Sequence, residues 1–198
     1  AYYCFLRRYK PQRVVEVGCG FSTFIALDAL ERNGYGDLVC IEPYPAPHLI
    51  ENSKIRLETR PVQELGIGYF SELLHDGDVL FIDSTHTVKT GSDCLHLYLR
   101  ILPHVDKSIL VHVHDVFLPR GLPRHWMTDL QLHWTEQHLL LAFLIDNPKA
   151  RVLYSSVNNM TRFPDKMRTL MCDQASPGGS SFWFSYDGGM SFAGDRKH

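Results

Sequence analysis

The chain has 198 residues, of which 44% are apolar and 21% charged, and its net charge is −2. This balance excludes a disordered chain, a collagen-like repeat and a coiled coil. No block of like charge occurs, which argues against nucleic acid or an acidic membrane surface as partner. Short β-branched runs then alternate with amphipathic stretches. Val14–Val17 reads as a strand closed by Gly18. Residues 21–32 read as a helix whose inner face carries Phe21, Ile25 and Ala29, with Phe24 beside them, stopped by Asn33-Gly34. Leu38–Ile41 is the second strand. Residues 46–52 form a short proline-led helix, 55–57 a weak strand and 66–75 a helix. Asp78–Ile82 is a strongly apolar strand. A helix from about 91 to 102 carries Leu95, Leu99 and Leu102 on one face and ends at Pro103. Ser108–Val113 is a strand and 134–145 a long helix. Arg151–Val157 and Ser181–Tyr186 are the last two strands, joined by an irregular linker.

Continuous apolar strands separated by helices predict a parallel sheet covered on both faces. The fold expected is α/β, a doubly wound, Rossmann-like sheet of seven strands, mostly parallel with an antiparallel last strand. One domain is expected over 1–198. The chain starts at Ala1 inside Ala-Tyr-Tyr-Cys-Phe-Leu, so residues 1–10 are expected to belong to the N-terminal segment of a longer chain. Residues 187–198 are polar and are expected to fray. Cys4, Cys19, Cys40, Cys94 and Cys172 are scattered without a C-x-x-C pair, and read as free buried thiols in a reducing cytoplasm. No apolar run approaches the roughly 18 residues of a membrane span, and no signal peptide is visible.

The segment Val14-Val15-Glu16-Val17-Gly18-Cys19-Gly20-Phe21-Ser22-Thr23 joins the first strand to the first helix of this pattern. Its glycines permit a tight turn and a close ligand approach. A dinucleotide fingerprint needs glycine at 23, where Thr23 stands, so a pyrophosphate site is disfavoured. Glu16 is expected to point into the crevice, where it would attract a cationic ligand. Glu42 ends the second strand, 22 residues beyond Gly20, where such folds hold a ribose through its two hydroxyls.

Glu-x-Gly-x-Gly-x-Ser after strand one, Glu42 after strand two, and seven strands with the last antiparallel resemble the class I S-adenosylmethionine-dependent methyltransferases. The resemblance covers about residues 11–186. Ser22, the stretch Phe-Ile-Asp-Ser-Thr-His and the Trp-Thr-Glu-Gln helix resemble the bacterial group called methyltransferase domain 24, related to sugar and small-molecule O-methyltransferases. The resemblance implies S-adenosylmethionine as cofactor. Gly18 and Gly20 would pass under its methionine part, Glu42 would hold the ribose, and Gln63 would lie near the adenine. Glu16, Phe21, Ser22 and Asp83 complete the expected cofactor-binding set.

Strand four ends in Asp83-Ser84-Thr85-His86 and strand five in His112-Val113-His114-Asp115. Both ends face one crevice in an open α/β sheet. Asp83, His86, His114 and Asp115 are therefore expected to converge. Carboxylates and imidazoles together suit magnesium or a transition metal, and an imidazole of unshifted pKa, about 6.5, suits a general base. In metal-dependent sugar O-methyltransferases of similar fold, Asp-x-x-His after strand four supplies a metal ligand and a base. That likeness implies His86 and Asp83 as catalytic residues and Asp83, His114 and Asp115 as ligands of a divalent metal, with His114-Asp115 standing where Glu-Asp is usual. His112 is expected to support the site from behind, and His48, His75, His104 and His198 to lie on the surface.

Residues 117–133 form a long loop of the kind that covers sites, with Phe117 and Trp126 as an apolar wall against the substrate. Trp134 and Phe143 read as core. Residues 158–179 are a second long stretch that could border the substrate mouth. The function expected is methyl transfer to a hydroxyl of a small molecule of sugar or natural-product type, with divalent-metal assistance as an option. Two other readings stand beside it. One is a metal-dependent hydrolase or oxygenase built on Asp83, His86, His114 and Asp115. The other is a non-catalytic cofactor-binding partner subunit. The expected partner is the small-molecule acceptor, with homo-oligomerisation open.

Overall fold

The computed structural model describes residues 1–174 and 178–190. In chain order the elements are α1 (Tyr2–Tyr9), β1 (Arg13–Val17), α2 (Phe21–Asn33), β2 (Asp37–Ile41), α3 (Pro47–Ile50), β3 (Arg56–Glu58), α4 (Ile67–Leu73), β4 (Val79–Ile82), α5 (Asp93–His96), β5 (Ser108–Val113), α6 (Arg124–Thr128), α7 (Glu136–Leu144), β6 (Ala150–Ser155), α8 (Ser156–Arg162), α9 (Pro164–Leu170) and β7 (Phe182–Asp187). The sheet order is β3-β2-β1-β4-β5-β7-β6. Strands β1 to β5 pair in parallel, and β7 lies antiparallel between β5 and β6. This is the expected seven-stranded Rossmann-like sheet. Its order reverses between β1 and β4, which opens a crevice at the carboxyl ends of those strands.

Strand residues alternate between two cores because successive side chains point to opposite faces. Val15, Val17, Leu80, Ile82, Val111 and Val113 face one core, which Phe70, Tyr98, Ile101 and Leu140 cover. Val14, Leu38, Cys40, Val79 and Phe81 face the other, beneath Tyr2, Leu6, Ala26, Ala29 and Leu30. The helix α1, which the pattern of residues 1–10 did not announce, is thus part of the second core.

Several local expectations are corrected. On α2 the buried face is Thr23, Ala26, Ala29 and Leu30, whereas Phe21 is 82%, Phe24 40% and Ile25 45% exposed. Small residues let α2 sit close to α1 and the sheet, so the helix turns its large side chains outward. The expected helix 91–102 is an α5 of one turn followed by a wider π-turn over Leu97–Ile101. The wider turn shifts the register, so Leu97, Tyr98, Ile101 and Leu102 are buried while Leu99 is exposed. Strand β6 stops at Ser155, whose hydroxyl caps α8 by accepting from the Asn158 amide. The linker expected to be irregular contains α8 and α9. Asp187 is still in β7 and accepts a hydrogen bond from the Ser108 hydroxyl. The rest of the expected tail, from residue 191 with His198, lies outside the described residues. All five cysteines are free, but only Cys40 and Cys94 are buried; Cys4 and Cys172 are exposed. No helix among the described residues is long and apolar enough to cross a membrane.

Candidate active site

The crevice has two lobes that meet at Asp83. One, of about 440 Å³, is lined by Gly18, Glu42, Pro43, Tyr44, Val62, Gln63, Asp83 and Thr85. The other, of about 430 Å³, is lined by Gly18, Gly20, Phe21, Ser22, Glu42, Asp83 and His114. Gly18, Gly20, Phe21, Ser22, Glu42, Gln63 and Asp83 are thus gathered around one opening. Gly18 has φ +83°, and a Cβ there would sit 1.9 Å from the Asp83 carbonyl oxygen. Its glycine is required by the neighbouring strand end, and not only by a ligand. A Cβ at Gly20 would meet nothing within 4 Å, so that space faces the crevice. The Glu42 carboxylate accepts from the Cys19 amide (3.2 Å) and the Tyr44 amide (2.9 Å), which fixes it between the two lobes with capacity to accept more. The Gln63 amide nitrogen donates to the Gly91 carbonyl at 3.4 Å.

Glu16 does not open into the crevice. Its side of β1 faces the α1–α2 core, where it is fully buried. It accepts from the Tyr2 hydroxyl (2.7 Å) and the Thr23 hydroxyl (2.6 Å). Burial pushes its carboxyl up to about 7, against the lowering by those hydroxyls. The expectation of a ligand-facing carboxylate is therefore corrected: Glu16 ties α1 and α2 to β1. The raised folded pKa means its stabilising contribution is full below about 4.5 and is lost as pH rises through about 7. In Glu16→Gln, the fall in stability from pH 5 to pH 8 should shrink by on the order of 3 kcal/mol. Denaturant unfolding at both pH values measures it, and an unchanged fall would show that the carboxyl ionises freely in the folded state.

The four strand-end residues do converge. His86 is buried and has φ +57°, and Asp115 has φ +54°. Left-handed backbone at non-glycine residues concentrates at functional sites. The Nε2 atom of His86 lies 3.3 Å from Asp83 Oδ1 and 3.9 Å from Asp115 Oδ2. Its Nδ1 lies 2.7 Å from Oε2 of Glu136. Burial disfavours the charged ring, but its bonds to Asp83 and Glu136 outweigh burial and raise its pKa to about 9. The expectation of an unshifted imidazole is corrected: Asp83 and Glu136 favour the ring's charged form in the protein without metal or cofactor. His114 Nδ1 lies 3.3 Å from Asp115 Oδ1 and 3.6 Å from Asp83 Oδ1. It is buried and makes no hydrogen bond. Burial works against its charged form too, yet Asp115 and Asp83 raise its pKa. The Asp115 carboxyl is lowered by His114 and by the Ser180 hydroxyl, which outweigh burial. One ligand atom from each of Asp83, His114 and Asp115 falls within 4.8 Å of the others. Two carboxylates and an imidazole nitrogen lacking a donor–acceptor partner are a donor set that suits a divalent cation.

Phe117 and Trp126 meet edge to face at 5.0 Å. Trp126 then meets Trp134 at 5.3 Å, and Trp134 lies 4.3 Å from the His86 ring. Trp134, expected in the core, is half-buried and closes over His86, whereas Phe143 does pack in the core against Tyr98, Phe184 and Tyr186. His112 is buried, stacked on Trp183 at 4.4 Å and bonded to the Ser181 hydroxyl at 2.6 Å. Burial, then His114, holds its pKa well below the usual value. Its ring lies 6.2 Å from that of His114. Glu136 and Trp134 are the residues that site reasoning missed. Their only signal was the Trp-Thr-Glu-Gln run at a helix start.

Residues 15–116 match the methyltransferase domain family Methyltransf_24. The chain belongs to that family. The resemblance to class I S-adenosylmethionine-dependent methyltransferases is thereby established. The matched part of this methyltransferase domain carries the glycine loop, Glu42, Asp83, His86, His114 and Asp115; Phe117, Trp126 and Glu136 lie beyond it. A relative from Archaeoglobus fulgidus, described as an uncharacterized protein, is 35% identical over 37% of this chain. The match spans 36% of that relative's length. The fold is shared with an O-methyltransferase from Bacillus cereus solved in complex with SAH (TM-score 0.55, 14% identity, 93% of this chain and 78% of that one). It is also shared with an O-methyltransferase from Streptomyces achromogenes involved in tomaymycin synthesis, in complex with SAM (TM-score 0.54, 14% identity, 93% and 77%).

Proposed function

We propose that this methyltransferase domain binds S-adenosylmethionine and methylates a hydroxyl of a small molecule of sugar or natural-product type. One observation carries the reading. Asp83 lines both lobes of the crevice and lies 3.3 Å from His86 Nε2, so the cofactor cavity and the proton acceptor share one carboxylate. Bound S-adenosylmethionine would supply a sulfonium methyl to the acceptor oxygen, the electron pair of the broken S–CH3 bond remaining on sulfur in S-adenosylhomocysteine. Glu42 would hold its ribose by accepting from the two hydroxyls. Asp83 holds positive charge at the centre of the crevice. His86 receives the acceptor's proton at Nε2. The ring can do so once positive charge beside Asp83 and Asp115 offsets the carboxylates that keep it protonated. Phe117, Trp126 and Trp134 exclude water on the acceptor side. Oxygen as the methyl acceptor is favoured by the His86 geometry and by the names of proteins that share the fold.

A divalent cation at Asp83, His114 and Asp115 is the second element of the reading. The buried, unbonded His114 Nδ1 beside two carboxylates favours it. Such a cation would lower the acceptor hydroxyl's pKa and orient its oxygen. The hydrolase or oxygenase alternative leaves Glu42 and the glycine loop without a task. The non-catalytic alternative is met by the same experiment as the proposal. Calorimetry with S-adenosylmethionine should give saturable binding, weakened in Glu42→Ala by about 1–3 kcal/mol. A screen of hydroxylated acceptors with labelled methyl, with and without chelator, follows. Absence of cofactor binding refutes the proposal. Binding without transfer to any acceptor would support the partner-subunit reading. Full activity after chelation would remove the metal.

A further inference from the structure

Glu136 lies outside the family match and touches the base of the proposed reaction. It is 2% exposed, in the first turn of α7. Its Oε2 lies 2.7 Å from His86 Nδ1, and its Oε1 accepts from the Tyr98 hydroxyl at 2.9 Å and the Ser84 hydroxyl at 3.3 Å. Both oxygens are therefore engaged, and the carboxylate is held from three directions. The same short segment clamps the His86 backbone. The amides of Thr135 (2.8 Å) and Glu136 (3.1 Å) donate to the His86 carbonyl. The Thr135 hydroxyl accepts from the Val88 amide at 2.8 Å, and Trp134 lies against the ring. Left-handed backbone at a residue other than glycine is strained and persists only where its surroundings fix it. Here the surroundings are three consecutive residues at the start of α7: Trp134, its N-cap Thr135 and Glu136.

We propose that Glu136 is a positioning residue: it takes the hydrogen bond of His86 Nδ1–H, fixes the ring's rotation and tautomer, and leaves Nε2 as the ring nitrogen that faces the acceptor. The inference rests on the reading that His86 receives the acceptor's proton. Chemically, an imidazole carries its exchangeable function at either nitrogen, and the partner of one decides what the other presents. Without Glu136 the ring is free to turn its Nδ1 toward Asp83 and Asp115, and the nitrogen aimed at the acceptor is no longer defined.

The test uses ring 15N and 1H NMR on the whole chain, with His86→Asn to assign the signals. The native protein should show a strongly deshielded Nδ1–H proton, as a short bond to a carboxylate gives. Glu136→Gln keeps an acceptor oxygen and removes the charge, so the signal should persist at higher field. Glu136→Ala should lose it. On an acceptor found by the screen, Glu136→Ala should lower kcat about 10- to 100-fold, the scale for groups that orient a histidine. KM and cofactor affinity should stay within about twofold, and Glu136→Gln should recover most of kcat. Ring signals unchanged in Glu136→Gln overturn the proposal, even where Glu136→Ala fails to fold. So does a loss of KM and kcat in equal measure, which would mark a general structural role. Should no acceptor be methylated, the enzyme reading falls by its own test while the ring signals still decide what Glu136 does.

Discussion

His86→Asn is expected to lower kcat by roughly 10²- to 10⁴-fold, the scale of general-base loss, with cofactor affinity within about threefold of the native protein. Asparagine is the informative replacement. Its amide can still donate to Glu136, so that buried carboxylate is not left without a partner, while the nitrogen between Asp83 and Asp115 is gone. The pH dependence follows from the ring's environment. In the protein free of metal and cofactor the carboxylates raise the ring's pKa to about 9, so kcat/KM of chelator-treated protein should climb with pH up to about 9. On the proposed reading, bound S-adenosylmethionine would bring a positive charge next to Asp83 and disfavour the imidazolium, so the rising limb of kcat should lie at lower pH than that of kcat/KM. Neither limb should remain in His86→Asn. A native-like rate for that variant would mean that the acceptor ionises without help from this ring.

Gly18→Ala carries the largest expected effect on the fold. The new Cβ would lie 1.9 Å from the Asp83 carbonyl oxygen and 2.8 Å from its carbon, at φ +83°. Neither contact is with a flexible side chain, so the ends of β1 and β4 must part. Overpacking and the left-handed backbone together cost about 3 kcal/mol or more, which for a chain of this size lowers Tm by about 6–12 °C. Cofactor binding should vanish, because the Cys19 amide and the Asp83 carboxylate move with the strand ends. Gly20→Ala is the contrast: its Cβ meets no protein atom within 4 Å, so Tm should hold while cofactor affinity drops. A Gly18→Ala protein that melts within a few degrees of native would show that the two strand ends can yield.

Much of this architecture was legible because parallel strands covered on both faces must be apolar throughout. Val14–Val17, Asp78–Ile82 and Ser108–Val113 announce themselves in that way. The residues that follow such strands are forced to one side of the sheet, so Asp83, His86, His114 and Asp115 were readable as a group. Glu16 was misread because its distance from the glycines is shared by crevice-facing and core-facing arrangements; the pleat decides between them, and α1, which was not foreseen, supplies Tyr2 to bury it. The inner face of α2 was misread because apolar periodicity favours phenylalanine and isoleucine over the alanines that permit close packing. Glu136 was illegible for a different reason. It is 50 residues from His86 in sequence, and its nearness depends on where the long segment after Asp115 returns. That same return adds Glu136 to Asp83 as a cause of the raised pKa of His86.

The position of β7 between β5 and β6 also dictates an order of assembly. Val113 of β5 pairs with Phe182 of β7, and Phe182 pairs in turn with Ser155 of β6. On the ribosome β6 emerges before the strand that must separate it from β5, so neither can pair with β7 at first. The hydrogen-bonding edge of β5 therefore stays open while the intervening residues are made, several seconds at about 5–20 residues per second. An open edge of Ile109, Leu110 and Val111 is a template for pairing with another nascent chain. Production of this protein should accordingly depend on how quickly β7 leaves the exit tunnel, and chains cut short before residue 182 should aggregate rather than accumulate as a smaller domain.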